Sequence, residues 1–194
     1  MSIWVLKTIF MIFWVATGII RRPFDREQKR NTIVVDHKTT LEKILLSGAM
    51  LGMMLFPVLY VFTDWFSFAD YSPVLPVNII GIMLMPVALW LFYRSHKDLG
   101  KNWSPTLEIR SEHTLVSNGV YQHIRHPMYT AIWIWVILQA CVLPNWVGGF
   151  AGIISFGTLY FLRIGEEEAM MQKQFGEQYQ TYKSKTKRLI PYIL

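Results

Sequence analysis

The sequence predicts an all-α fold: a polytopic membrane helix bundle of five transmembrane helices. The last two form a tight helical hairpin, and a cytoplasmic amphipathic C-terminal helix follows. Three observations carry this. Hydrophobic residues make up 53% of the 194-residue chain and charged residues only 16%, against roughly 25% charged in an average soluble protein. Lys and Arg are missing from Ile44 to Tyr93 and again from His126 to Leu162. Within the apolar runs no ten-residue alternation occurs, which leaves helices, because lipid admits only helices or closed barrels.

The first apolar run is Ser2–Ile20, interrupted only by Lys7. Its positive cluster, Arg21-Arg22-Pro23-Phe24-Asp25-Arg26, follows the run, whereas a signal peptide carries its charge in front. A retained first helix is expected. The second run, Ile44–Phe62, and the third, Val74–Tyr93, also approach the roughly 20 residues that a bilayer core requires. Pro57 and Pro86 fall inside them and are expected to kink them. The fourth run, Met128–Val142, and the fifth, Trp146–Leu162, are shorter and are separated by Leu143-Pro144-Asn145. Gly81, Gly148, Gly149, Gly152 and Gly157 allow close helix packing. They do not form a dinucleotide loop, because a full G-x-G-x-x-G is absent. In Ala169–Lys185, Met170, Met171, Phe175, Tyr179 and Tyr182 recur at helical spacing, the pattern of an amphipathic helix.

Nineteen Lys and Arg against thirteen Asp and Glu give a net charge of +6. The cations stand in blocks: six in Arg21–Thr40, none in Asp64–Pro73, five in Arg94–Arg125, none in Leu143–Asn145, six from Arg163 onward. By the positive-inside rule the N-terminus is outside, and the polar loop and C-terminus are cytoplasmic. Topology consumes the basic excess, so a nucleic-acid partner is not expected. The lysines and Arg188 of the tail, Lys183 to Arg188, read as a basic end in contact with membrane lipid. A single cysteine, Cys141, excludes an intrachain disulfide and a multi-cysteine metal site. The length fits one integral membrane domain, residues 1–194.

Chemistry-bearing residues gather in the second half. The 32-residue polar stretch Arg94–Arg125 holds Asn102, Ser104, Glu108, His113, Tyr121 and His123, and leads into Arg125-His126-Pro127-Met128-Tyr129. Pro127 suits the first turn of a helix, which sets His126 and Tyr129 at its mouth. An aromatic belt at headgroup depth would read the same way. His113, His123 and His126 lack the spacing of an H-E-x-x-H metal helix. The second cluster is Arg163-Ile164-Gly165-Glu166-Glu167-Glu168. Arg163 and Glu167 share a helix face at i and i+4. A snorkelling arginine is the plain alternative, but ionisable groups at the membrane are functional candidates. One glutamate is expected to point inward and orient the arginine.

Taken in order, His113-Thr114-Leu115-Val116, Gly119-Val120-Tyr121, Arg125-His126-Pro127-x-Tyr129, and Glu166-Glu167-Glu168 before Phe175-Gly176-x-x-Tyr179 resemble the isoprenylcysteine carboxyl methyltransferase family. The resemblance covers about Ser104–Pro191, the expected catalytic region, and is to a small prokaryotic-type member. Ala131 stands where the family usually has glycine. The resemblance implies S-adenosylmethionine as methyl donor, S-adenosylhomocysteine as its product, and no metal. It implies a lipophilic, prenylcysteine-like substrate whose carboxylate becomes a methyl ester. His113, Thr114, Leu115, Val116, Tyr121, His126, Pro127, Met128 and Tyr129 would hold the cofactor. Arg163 and Glu167 would be the catalytic pair at the substrate carboxylate.

The implied chemistry suits these residue types. An α-carboxyl has a pKa of roughly 3.3–3.7 and is already a nucleophile at neutral pH. It needs a permanent cation to draw it from water, which arginine supplies bidentately. Three alternatives stay open. Arg-His-Pro-x-Tyr also recurs in phospholipid N-methyltransferases, although a cation at Arg163 would repel an amine acceptor. It recurs in NADPH-dependent membrane reductases, for which Lys101, Arg110 and Arg125 could serve a 2′-phosphate. The third is a membrane scaffold without activity.

Overall fold

The structure, a computed structural model, describes residues 1–28, 33–36, 39–104, 106, 108–110 and 114–193. The protein is an integral, multi-pass membrane protein. Among the described residues four helices are long and apolar enough to cross a membrane: Ile3–Glu27, Thr40–Phe62, Leu75–Asn102 and Trp146–Phe175. A fifth apolar helix, Pro127–Val142, is shorter. Large apolar side chains face outward along the bundle, as with Ile12 (66% exposed), Met83 (69%), Ile154 (71%) and Phe161 (73%). In lipid such a surface has no cost.

Helix α1 (Ile3–Gln28) continues through the basic cluster after Ile20. Strand β1 (Ile33–Asp36) follows. The second span is α2 (Thr40–Met50), a π-helical segment (Leu51–Leu55) and α3 (Phe56–Phe62) in one rod. The third is α4 (Leu75–Leu99). Strand β2 (Glu108–Arg110) pairs antiparallel with β1. This short ribbon departs from a purely helical expectation. It joins two polar loops outside the apolar runs, where backbone pairing is open to short β-branched segments.

The last helices also differ from expectation. Helix α5 (Pro127–Val142) is short, but α6 (Trp146–Phe175) is the longest, at 30 residues. Beyond Leu162 the sequence holds no proline before the break and is rich in Glu, Met and Gln, so nothing stops the helix. It ends at Gly176, which adopts φ 52° and donates its N–H to Gln172 O at 2.9 Å. The amphipathic helix expected at Ala169–Lys185 is therefore divided. Its first part belongs to α6, and α7 (Glu177–Lys185) starts after the break.

Small residues and buried amides hold the spans together. A Cβ on Gly52 would stand 2.2 Å from Ser155 Oγ and 2.5 Å from Ala151 O, so the π segment meets α6 backbone to backbone. The fully buried Gln139 of α5 donates to Gly52 O (3.1 Å) and Gly148 O (2.9 Å), tying three spans at one point. Asn78 Nδ2 of α4 donates to Cys141 O at 2.8 Å. In the hairpin turn, Asn145 Oδ1 accepts from the N–H groups of Val147 (3.0 Å) and Gly148 (2.7 Å) and caps α6. Lys7, buried on α1, donates to Tyr60 O at 2.8 Å. Phe10, Phe13, Trp135, Val136 and Phe156 form the centre of the core.

Candidate active site

The polar stretch before α5 is docked on the end of α4. Asp98 Oδ2 accepts from Val120 N (2.9 Å) and from Arg94 (3.2 Å). Gly119 beside it has φ 57°, and a Cβ there would stand 2.1 Å from the same carboxylate oxygen. Asn102 clamps Thr114 twice, Nδ2 to Oγ1 at 3.2 Å and Oδ1 from the backbone N–H at 3.0 Å. Tyr121 donates to Ser95 O (3.3 Å), and Tyr182 of α7 donates to Tyr121 O (2.7 Å). Burial pushes both phenols above their ordinary pKa, so they stay neutral donors.

These contacts line one wall of a cavity of about 410 Å³, within the roughly 300–1,000 Å³ range of small-molecule sites. Thr114, Leu115, Val116, Tyr121, His126, Met128 and Tyr129 all face it. Pro127 does not line it; it is the buried first residue of α5 and sets the helix start. His113 lies outside the described residues. The opposite walls are apolar, with Met50, Met53 and Met54 from the second span and Phe156 and Leu159 from α6. Thr17, Gly18 and Arg21 of α1 also face the cavity, which makes the first span part of the site wall.

At the junction of these walls stands a buried charge cluster. Arg163 is 6% exposed. Its Nε is 3.7 Å from Glu167 Oε2, one turn on, and its NH2 is 3.5 Å from Glu42 Oε1 on α2. Tyr129 donates to Glu167 Oε2 at 2.5 Å. The ring nitrogens of His126 each face a carboxylate: Nδ1 is 3.5 Å from Glu167 Oε1, and Nε2 is 3.3 Å from Glu168 Oε1. Burial alone lowers the His126 pKa, but Glu167 and Glu168 outweigh it, and the result lies above the ordinary 6.5. Both nitrogens face acceptors, an arrangement that favours the protonated ring.

Glu168 is the centre of a second knot. Arg125 Nε (3.2 Å), Arg188 Nε and NH2 (3.1 and 2.8 Å) and Lys183 Nζ (3.4 Å) converge on it. The tail is strapped to the mouth of α5 beside this knot. Arg125 N donates to Lys187 O (2.8 Å), His126 N to Arg188 O (3.1 Å) and Thr130 Oγ1 to Leu189 O (2.7 Å). Arg125 NH1 also donates to Thr186 O. Arg188 is therefore not simply part of a lipid-contacting basic end; it grips a buried acid. Of the three consecutive glutamates, Glu166 is exposed, while Glu167 and Glu168 turn inward.

Asn102, Glu168 and Arg188 belong to this arrangement, although the sequence gives none of them a site role of its own, and Glu42 joins it from outside every stretch the sequence marks. A partial signal exists for Glu42. Thr39-x-x-Glu42 is a capping-box pattern, and Thr39 Oγ1 accepts from Glu42 N at 3.1 Å. That sets Glu42 on the first turn of α2 but says nothing of a partner on α6. Chemically, the arrangement offers a fixed guanidinium at the edge of a half-polar, half-apolar cavity. Among the described residues no group of three or more His, Cys, Asp or Glu is placed to hold a metal ion.

A model of the isoprenylcysteine carboxyl methyltransferase (ICMT) family matches residues 79–173. The chain is 27% identical over 158 residues to protein-S-isoprenylcysteine O-methyltransferase B of Arabidopsis thaliana, covering 80% of each chain. It is 23% identical over 192 residues to a probable protein-S-isoprenylcysteine O-methyltransferase of Oryza sativa subsp. indica, covering 98% of this chain and 96% of the relative. Its fold is similar to the solved structure of the eukaryotic intramembrane Ras methyltransferase, isoprenylcysteine carboxyl methyltransferase. The TM-score is 0.53 and the identity 24%, over 82% of this chain and 55% of that one. The chain thus spans about half the length of that solved protein.

Proposed function

The chain belongs to the isoprenylcysteine carboxyl methyltransferase family, and on that footing we propose that it methylates the carboxylate of a lipophilic, prenylcysteine-like substrate at the membrane. The methyl donor is S-adenosylmethionine. The observation that carries the reading is the buried Arg163 at the edge of a cavity with one polar and one apolar wall.

The residues fit such a donor. Thr114, pinned by Asn102 through its backbone N–H and its hydroxyl, lines the cavity with Tyr121, His126 and Tyr129. Glu167 faces the same space. When bound, the donor would supply an electrophilic methyl for a carboxylate oxygen, its carbon–sulfur bond breaking to leave S-adenosylhomocysteine. Thr114, Leu115, Val116, Tyr121, His126, Met128 and Tyr129 hold the donor, and Pro127 fixes the start of the helix that carries the last two.

No residue needs to remove a proton, because the substrate carboxylate is ionised at neutral pH. Arg163 draws that carboxylate out of water and orients one oxygen. Glu167, held by Tyr129, keeps the guanidinium in place. The ester product is neutral, so its attachment to Arg163 weakens as soon as it forms. Orientation and exclusion of water supply the rate. The cofactor mouth faces the cytoplasm, in line with the basic loops, and the lipid chain lies along the methionine-rich wall.

Transfer of labelled methyl from S-adenosylmethionine to a prenylated cysteine, scored as base-labile ester, tests this. Arg163→Ala and Arg163→Lys both abolish ester formation and keep S-adenosylhomocysteine binding by calorimetry. Glu167→Gln lowers turnover in a folded protein. Full activity in Arg163→Ala refutes the carboxylate role. Tight binding of NADPH in place of S-adenosylhomocysteine refutes the methyltransferase itself.

A further inference from the structure

Arg163 is bracketed by two acids of different origin. Glu167 is its neighbour on α6, but Glu42 comes from the first turn of α2, at the start of the second span. Residue 42 also lies outside the matched region, residues 79–173. Three observations single it out. It is 4% exposed, a rare state for a glutamate unless it is paired. Its carboxylate reaches the NH2 end of the guanidinium at 3.5 Å, while Glu167 faces Nε. Among the described residues, Arg163 and Glu167 line the cavity and Glu42 does not. Glu42 therefore stands behind the guanidinium as seen from the cavity.

From this arrangement we propose that Glu42 is a positioning residue of the same methyl transfer: it holds Arg163 from behind and moderates its grip on the substrate carboxylate. The proposal rests on the carboxyl methylation argued above. Its logic is electrostatic. An unopposed arginine would bind a carboxylate tightly but would also withdraw electron density from the attacking oxygen. A fixed negative charge on the far side of the guanidinium shares that hydrogen-bonding capacity and repels the incoming carboxylate slightly. Binding is weaker, and the bound oxygen is a better nucleophile. The start of α2 suits this role. A glutamate in the first helical turn is favoured by the helix dipole, and Thr39 caps the turn that carries it.

A purely structural ion pair and a positioning pair make different predictions. Glu42→Gln keeps the shape and an acceptor oxygen but removes the charge. Glu42→Ala removes both. Kinetics with a prenylated cysteine acceptor, alongside S-adenosylhomocysteine affinity by calorimetry, separate the two. Glu42→Gln lowers KM for the acceptor about three- to tenfold and lowers kcat by a similar factor, since loss of one nearby charge tightens the ground state. Glu42→Ala lets the guanidinium swing, raising KM and lowering kcat. Glu42→Asp, which restores the charge at shorter reach, recovers part of the kcat lost in Glu42→Ala. Cofactor affinity is unchanged in Glu42→Gln. Wild-type kinetics in Glu42→Gln, or a loss confined to cofactor affinity, overturns the proposal. If the wild-type protein forms no ester at all, the proposed function falls first; if it is active and only Glu42→Gln is indifferent, the role of Glu42 alone falls.

Discussion

Replacing Glu168 unfastens the tail from the mouth of α5. Five cationic contacts from four side chains converge on this carboxylate, but they are not equal. Arg125 and His126 have side chains only 8% exposed, while Lys183 and Arg188 are 46% and 39% exposed. The exposed pair contributes at most about 1 kcal/mol each, as surface ion pairs do. The buried pair dominates, because removing one partner of a buried ion pair strands the other at a cost of about 3–5 kcal/mol. Glu168→Ala is therefore expected to lose about 3–5 kcal/mol, and Glu168→Gln, which keeps one acceptor, about half of that. For a domain of this size that is a fall in melting temperature of roughly 6–20 °C for the alanine variant. Thermal unfolding in detergent micelles measures it. Limited trypsin digestion gives an independent reading, since Lys183, Lys185, Lys187 and Arg188 become open to cleavage when the strap is released. An alanine variant that melts within about 2 °C of wild type and keeps its tail protected would refute the reasoning.

Four further outcomes are expected. Tyr129→Phe removes the 2.5 Å bond to Glu167; a hydrogen bond to a charged group is worth about 1.5–3 kcal/mol, so turnover falls roughly ten- to hundredfold in the methyl-transfer assay. The His126 pKa is raised in the folded protein, so its stabilising contribution is full below the ordinary value of 6.5 and is lost as pH rises through the folded value; melting temperature declines over that alkaline range in wild type and is flatter in His126→Gln. Gly52→Val meets the backbone oxygen of Ala151, 2.5 Å from a Cβ, and destabilises by about 1–3 kcal/mol, again read by thermal unfolding. A reporter fused after Leu194 is active on the cytoplasmic side only; activity on the outer face would overturn the orientation.

What could be read from the sequence follows the range of the interactions involved. Apolar runs and charge blocks are local, so the membrane helices and their order were legible in outline. The end of α6 was not, because a helix can pass from lipid to water without changing its backbone; only Gly176 marks the stop. The β1–β2 ribbon joins Ile33–Asp36 to Glu108–Arg110 across more than seventy residues, and neither segment advertises the other. The same holds for chemistry. Arg163 and Glu167 stand at i and i+4, so periodicity alone could pair them. Glu42 meets Arg163 only because Gly52 lets the second span lie against α6 and Gln139 pins both to α5. Nothing local tells Glu168 from Glu166 and Glu167, because Arg125, His126 and Arg188 reach it from separate parts of the chain.

The uninterrupted α6 makes bilayer thickness a variable of the reaction. At 1.5 Å per residue its 30 residues extend about 45 Å, against a hydrocarbon core of roughly 30 Å. Arg163 stands about 25 Å along this rod from Trp146, close to where hydrocarbon gives way to headgroups. Because one rigid helix carries both a membrane span and the proposed carboxylate-binding Arg163, the depth of the guanidinium is set by mismatch between the rod and its host membrane rather than by a flexible joint. Longer acyl chains draw Arg163 under the surface, farther from a water-soluble donor; shorter ones lift it away from the lipid chain of the acceptor. Turnover in vesicles of graded acyl length therefore passes through an optimum, and lipid composition becomes a regulator of this protein without touching a binding site.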